Sequence, residues 1–309
     1  MSYEGRMLEE LKMPLRQDVE DALLRALFRH NGSIKEFSSG EEIVVEIANE
    51  FELTDRQRGA YLETVYRKEN RVKKSFLWHR LLFRAADSLA KNKMVTRPTR
   101  TIKLTDQREW MLTENGVDRT LKLLNVPEEK KDILPIKSYE VQKLVKKLNE
   151  SSRPKNYNPI NKKKKVINVS KQTTLRSRAF RQAVIITYDY KCSICGMKIS
   201  SPDSLFWEVE AAHIVPHSFK GKDDIWNGIA LCHLHHWAFD VGWFTLLDNY
   251  NIQVSSKVNS LPSSFGKMGN YEFLKDLKNN TSKLLLPSRV EIYPHHNAIQ
   301  WHRQNIFYH

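Results

Sequence analysis

The three cysteines of this chain fall into one register, Cys192-Ser-Ile-Cys195 and then Cys232-His-Leu-His235-His236. A C-x2-C knuckle and a C-x2-H knuckle together offer four sulfur and nitrogen donors, the set that a tetrahedral structural Zn²⁺ takes. Two segments distant in sequence must therefore meet. Three cysteines cannot all pair within the chain, which argues against a disulfide framework and for metal-bound thiolates in a reducing compartment. His233, His235 and His236 compete for the fourth position, and spacing favours His235. Buried thiols beside a surface histidine are the plain alternative, and the shared register of all three cysteines makes it the poorer reading.

The chain has 309 residues, room for about two ordinary domains. Its formal charge of +14 and sequence pI near 9.5 favour a polyanionic partner, double-stranded DNA before an acidic membrane. No apolar run is long enough to span a bilayer, so no membrane partner is expected. Residues 1–10 are charged and carry no signal-peptide core, and a cytoplasmic protein is expected.

An α+β chain of two domains and a linker is predicted. Val19, Leu23, Ala26 and Leu27 recur at helical spacing, Asn31-Gly32-Ser33 stops that helix, and Ile43, Ile47 and Phe51 continue a second. Thr54-Asp55-Arg56-Gln57 is an N-cap that opens a third. Residues 75–91 carry a stripe of Phe76, Leu77, Leu81, Leu82, Ala85, Ala86 and Leu89. Residues 94–104 and 110–113 then read as two strands, and Glu114-Asn-Gly116 begins a last helix. Helices followed by a hairpin outline a winged helix over residues 12–126, and the order resembles the N-terminal domain of Mrr-type restriction proteins. Residues 127–172 are a basic linker with the run Lys162, Lys163, Lys164 and Lys165, helical near residues 139–148. Residues 173–309 hold the metal-site candidate and a C-terminal extension with a helix near residues 271–277.

Between the knuckles lie Val209-Glu-Ala-Ala-His213-Ile-Val-Pro216, apolar enough for a strand, and Asn227-Gly228. Alone, His213 reads as a core histidine bonded to a carbonyl, and Asn227 as a turn residue. Framed by the zinc knuckles, they resemble the HNH (ββα-metal) nuclease motif. The resemblance extends to Arg178-Ala-Phe-Arg-Gln-Ala-Val184, Leu286-Pro287 and Trp301-His-Arg303, which are similar to a restriction-type subgroup. It implies that His213 is the general base, that Asn227 holds the loop and orients it, and that His236 binds the catalytic divalent ion. Asp240 follows His236 at i+4, so on a helix both reach one ion, and this donor pair suits Mg²⁺ or Mn²⁺. Where many HNH motifs place a further ligand, this chain has Ala212. The missing ligand is then Asp240, or else Glu210, which alternation along a regular strand turns away from His213. Glu210 could instead orient a histidine as an outer partner.

Trp78, His79, Arg80 and Arg84 are candidates for the major groove, and Arg71, Lys73, Lys74, Arg97, Arg100 and Lys103 for phosphates on the approach and the wing. Arg176, Arg178 and Arg181, on a helix before the first knuckle whose other face is Phe180, Val184 and Ile185, and the run Lys162, Lys163, Lys164 and Lys165 are further candidates for phosphates. One such site cuts one strand, so a homodimer on DNA is expected. The opposed readings are a non-catalytic, zinc-containing DNA-binding regulator and a homing or mobile-element nuclease.

Overall fold

The computed structural model describes residues 3–37, 41–66, 71–161, 171–202, 206–260 and 283–309. The chain divides into two compact units, Met1–Lys143 and Leu144–His309. The dividing point falls inside a helix.

Unit 1 is built on two apolar helices. Its elements run α1 (Tyr3–Glu10), α2 (Arg16–Arg29), β1 (Ser33–Lys35), α3 (Glu41–Glu50), α4 (Asp55–Gly59), β2 (Tyr61–Tyr66), β3 (Arg71–Phe76), α5 (Leu77–Lys91), β4 (Val95–Thr96), α6 (Pro98–Thr105), β5 (Glu109–Leu112), α7 (Glu114–Leu123) and α8 (Tyr139–Glu150), the last crossing into unit 2. Helix α2 buries Val19, Leu23, Ala26 and Leu27, and α5 buries Leu81, Leu82, Ala85 and Leu89 against it. Strands β1, β5 and β4 form an antiparallel sheet with β5 in the centre, Ile34 facing Trp110 and Val95 facing Leu112.

The Thr54 N-cap opens a helix as expected, and two other local expectations are corrected here. The capping box at Thr54 and Gln57 is present, but α4 ends at Gly59. The chain then forms the hairpin β2–β3, so Arg71, Lys73 and Lys74 lie on a strand. Residues 94–104 are not one strand. After Val95–Thr96, Pro98 opens α6 at its first turn, where a missing N–H costs nothing, and Asp106 closes it in the left-handed region at φ 58°. The β-branched residues there suggested a strand, but the buried Thr101 hydroxyl donates to the Pro98 and Glu109 carbonyls and so fastens a helix beside β5. Trp78 is 2% exposed, and its indole N–H donates to the Val44 carbonyl at 3.0 Å. It is a core residue and not a groove contact.

Unit 2 consists of α9 (Lys171–Thr187), the hairpin β6 (Val209–His213) and β7 (Gly228–Cys232), α10 (His233–Asp240), the hairpin β8 (Phe244–Leu246) and β9 (Ile252–Val254), and α11 (His296–Asn305). Helix α9 packs Phe180, Ala183 and Val184 on β6 and β7. Residues 153–160, expected in the linker, belong to this unit. Tyr157 is buried between Trp226 and His295, and Arg153 donates to the carbonyls of Tyr293 and Pro294. Their short periodicity hides in a Pro- and Asn-rich stretch. The expected helix near residues 271–277 lies outside the described residues, as do Lys162, Lys163, Lys164 and Lys165.

The C-terminal helix completes the unit. His302 on α11 is 1% exposed and stacks on Phe239 of α10 at 3.7 Å. Its Nε2–H donates to the Phe239 carbonyl at 3.1 Å, and its Nδ1 accepts from the Thr245 hydroxyl at 2.9 Å. Burial pushes its pKa down to about 4. Above pH 6.5 or so the ring is neutral in both folded and unfolded chains. Below that the unfolded chain takes the proton first, so stability falls as pH drops from about 6.5 to about 4, by roughly 3 kcal/mol in all. Urea unfolding at pH 7.5, 6 and 5 should show this loss, and His302→Gln should remove that part of the acid slope while lowering stability at pH 7.5.

Candidate metal centre and active site

The first knuckle is a tight turn. Gly196, in the left-handed region at φ 73°, donates its N–H to the Cys192 carbonyl, and Cys192 N–H donates to Met197. Ser193 N–H reaches the Ala230 carbonyl at 2.8 Å, which ties this turn to β7. Cys232 ends β7 and caps α10, whose first turn carries His235. One ligand atom from each of Cys192, Cys195, Cys232 and His235 lies within 4.8 Å of the others. His235 Nδ1 is 3.0 Å from Cys232 Sγ and 3.6 Å from Cys192 Sγ, so it is the histidine that joins the thiols. His233 contacts Glu208 and Glu210 instead. Hydrogen bonds from the neighbouring thiols favour thiolate at Cys192, and that sulfur in turn disfavours ionisation of Cys232. Three sulfurs and an imidazole nitrogen gathered this closely are the donor set a thiophilic divalent cation takes, so the cluster could hold zinc.

His213 ends β6 opposite Gly228 of β7. A Cβ on Gly228 would lie 2.4 Å from Val184 Cγ2 and 2.9 Å from the Phe180 ring. The glycine thus lets α9 close on the hairpin, and Phe180 stacks on the His213 imidazole with centroids 4.0 Å apart and planes at 18°. Asn227, 0% exposed, accepts the Val215 N–H at 2.9 Å and donates to the Val215 and Lys222 carbonyls at 3.1 and 3.0 Å. It bridges the loop from the end of β6 to the start of β7.

Two groups absent from the sequence reading meet His213. Asp223 Oδ1 is 3.0 Å from His213 Nε2 and 2.9 Å from His217 Nε2. Burial opposes ionisation of Asp223, but the two imidazole hydrogen bonds outweigh it and hold the carboxyl well below the usual range. In the sequence the signal was faint, a histidine four residues after His213 and an acid four before Asn227.

His236 sits between two carboxylates. Its Nδ1 is 2.9 Å from Glu210 Oε2 and its Nε2 3.4 Å from Asp240 Oδ2. Burial lowers the pKa of His236, but Glu210 and Asp240 more than restore it and raise the group. Asp240 is pushed up, first by burial and then by the Glu210 charge, and is within electrostatic reach of His213. Strand alternation does not keep Glu210 from His236. Because the carboxylates address opposite ring nitrogens, one of them can share an ion with His236 while the other orients the ring. Two carboxylates and an imidazole suit Mg²⁺ or Mn²⁺. Ala212 is buried and contributes no ligand.

The predicted DNA contacts divide. Arg178 is 2% exposed and lies in the packed face of α9, so it is not a phosphate contact. Arg176 is exposed and Arg181 half-buried, with its charge felt by Glu210. In unit 1, Arg80 and Arg84 reach Glu4 at 2.8 and 2.7 Å, Arg97 reaches Asp87 at 2.6 Å, and Arg100 lies over the Tyr139 ring. Lys74 contacts Tyr61 and Glu63. The side chains of Arg71 and Lys73 lie outside what is described.

Residues 192–247 match the family model described as HNH endonuclease. A solved structure titled "Modification dependent TagI restriction endonuclease" is similar over 43% of this chain, at 20% identity and a TM-score of 0.30. The similarity spans 39% of that protein's length. None of the curated proteins matches the chain. The family match brackets both knuckles, His213, Asn227, His236 and Asp240 in one stretch.

Purified protein should carry one zinc per chain by elemental analysis. Cys195→Ser should lower that content and reduce the thermal midpoint by about 10 °C or more, as expected for losing several kcal/mol of metal-linked folding energy. His233→Ala should leave the zinc content unchanged.

Proposed function

We propose that this chain is a restriction-type DNA endonuclease in which unit 2 hydrolyses phosphodiester bonds and unit 1 reads the DNA. His213 removes a proton from water, and the resulting hydroxide attacks phosphorus. Asn227 holds the loop that presents it. His236 and Asp240 would hold Mg²⁺ or Mn²⁺, with Glu210 orienting His236. Bound there, the ion supplies charge neutralisation at the leaving 3′ oxygen. Cys192, Cys195, Cys232 and His235 would hold Zn²⁺ as a staple with no part in the chemistry. The observation that carries this reading is the placement of a ring-stacked histidine at the end of β6, within electrostatic reach of Asp240, inside the residues that match the HNH endonuclease model.

Unit 1 is read as a winged helix. Its support is the order α2, β1, α3, α5, β4, β5 with sheet order β1-β5-β4, into which α4, the hairpin β2–β3 and α6 are inserted. Helix α5 would face the major groove with His79, Arg80 and Arg84, and Arg71, Lys73, Lys74, Arg97 and Arg100 would meet phosphates. Lys162, Lys163, Lys164 and Lys165, with Arg176 and Arg181, would contact phosphates. The net charge of +14 supports a polyanionic substrate. One site cuts one strand, so double-strand cleavage would need a homodimer or two successive nicks. No helix among the described residues is long and apolar enough to cross a membrane, and cytoplasmic action on incoming DNA fits this role. The buried Ala212 favours one competing reading, a DNA-binding regulator with a degenerate site.

Supercoiled plasmid and phage DNA, modified and unmodified, should be cut in Mg²⁺ or Mn²⁺ and not in chelator. His213→Ala should slow cutting by about 10²–10⁴-fold, the usual worth of a general base, with DNA binding retained by gel shift. Binding unaffected by chelator, with no cutting of any substrate, would instead support the regulator.

A further inference from the structure

The pair Asp223–His213 goes beyond that reading and rests on it in one respect, the role of His213 as the base. We propose that Asp223 is a positioning residue that fixes His213 with its proton on Nε2 and its lone pair on Nδ1, so that Nδ1 is the atom that takes the proton from water. A carboxylate accepts hydrogen bonds and donates none, so the 3.0 Å contact from His213 Nε2 to Asp223 Oδ1 requires a proton on Nε2. A neutral imidazole so fixed keeps its lone pair on Nδ1 alone. The stacked Phe180 ring sets the imidazole plane, and Asp223 sets its rotation within that plane. Two contacts at right angles to each other thus leave the base one orientation.

The carboxylate is itself clamped. Lys222, the residue before it, gives its carbonyl to the Asn227 amide and its N–H to the Pro159 carbonyl. Asp224, the residue after, accepts from the Tyr157 hydroxyl at 3.3 Å and takes the Asn227 N–H on its carbonyl. Asp223 and His213 are 16% and 17% exposed, so water competes weakly for their hydrogen bond. Once His213 gains its second proton, the imidazolium meets a carboxylate already in place, and no group need move to compensate the charge. His217 donates to the same oxygen from the other side, its ring 4.7 Å from that of His213. At 46% exposed it is the weaker of the two partners. Asp240 on α10 also acts on His213, at longer range.

The test uses the zinc-loaded full chain labelled with ¹⁵N. Two-bond ¹H–¹⁵N correlation should show His213 as the Nε2–H tautomer, and Asp223→Asn should mix or reverse the tautomers while zinc content and circular dichroism are kept. In single-turnover plasmid cleavage, Asp223→Asn should cut kcat by about 10- to 100-fold with little change in KM, Asp223→Glu should recover part of the loss, and His217→Ala should lose less than Asp223→Asn. Wild-type His213 found as the Nδ1–H tautomer, or Asp223→Asn cleaving at the wild-type rate, would overturn the proposal. So would a Co²⁺ titration in which an extra equivalent is bound and then lost in His217→Ala, because His213, His217 and Asp223 would then be a metal cradle. The tautomer is read without any cleavage. If His213→Ala still cuts DNA, the role of His213 as base fails while the structural part of the proposal stands.

Discussion

The buried amide of Asn227 is the interaction on which unit 2 depends. Its carbonyl oxygen and amine satisfy Val215 on both its backbone groups and Lys222 on its carbonyl, and its own main-chain carbonyl takes the Ile214 N–H. The loop leaving β6 turns inward, where its polar groups have no strand partner. An unpaired buried donor or acceptor costs about 1–3 kcal/mol, so a residue that satisfies three of them at once decides whether the loop holds its course. The course matters because His213 stands at one end of the loop and Asp223 near the other. Gly228, next in the chain, then admits α9 close enough for Phe180 to cover the His213 ring. One side chain and one missing side chain therefore place the histidine, its acid partner and its stacking partner.

Charge in the site is divided unevenly around that scaffold. Asp223 shares its oxygen with two imidazoles and is held ionised by them. On the other side, Asp240 and Glu210 flank His236, and the Asp240 carboxyl is raised by burial and by its acidic neighbour. His236 and His233 hold Glu210 below the usual carboxylate range, whereas burial keeps Asp240 raised, and a divalent cation would neutralise both carboxylates. Ala212 on β6 offers no ligand, so in the proposed site the ion's protein ligands would come from α10 alone, with Glu210 orienting His236. The two sides act on different atoms, one fixing a lone pair and the other collecting negative charge.

What could be read from the sequence was what spacing alone encodes. The knuckles were legible because C-x2-C and C-x2-H bring donors together within a turn, and His236 with Asp240 because i and i+4 share a helix face. The loop pair Asp223 and His217 was not, since their meeting depends on how Asn227 folds the chain between two strands. The strand expected over residues 94–104 failed because Thr101 spends its hydroxyl on backbone carbonyls, a choice that β-propensity does not register. Arg178 was read by its charge as a phosphate contact, yet it is buried on α9, where packing overrides composition. The basic run at residues 127–172 hid Tyr157, whose aromatic ring anchors that segment in unit 2.

Arg80 and Arg84 illustrate how a contact remote in sequence changes the meaning of a basic helix. Both guanidinium groups are bound by the one carboxylate of Glu4, whose pKa is lowered chiefly by the Arg80 hydrogen bond. On charge count the pair contributes one net positive charge to this face of α5 and not two. Exposed ion pairs contribute only about 0.2–1 kcal/mol, so Glu4 does not remove the arginines from use; it sets a threshold that an incoming phosphate must exceed. A phosphate that displaced Glu4 would also free a carboxylate near the DNA and so give back part of the gain. For the reading role proposed for unit 1, the consequence would be a weaker grip on arbitrary backbone, with recognition shifted toward base contacts.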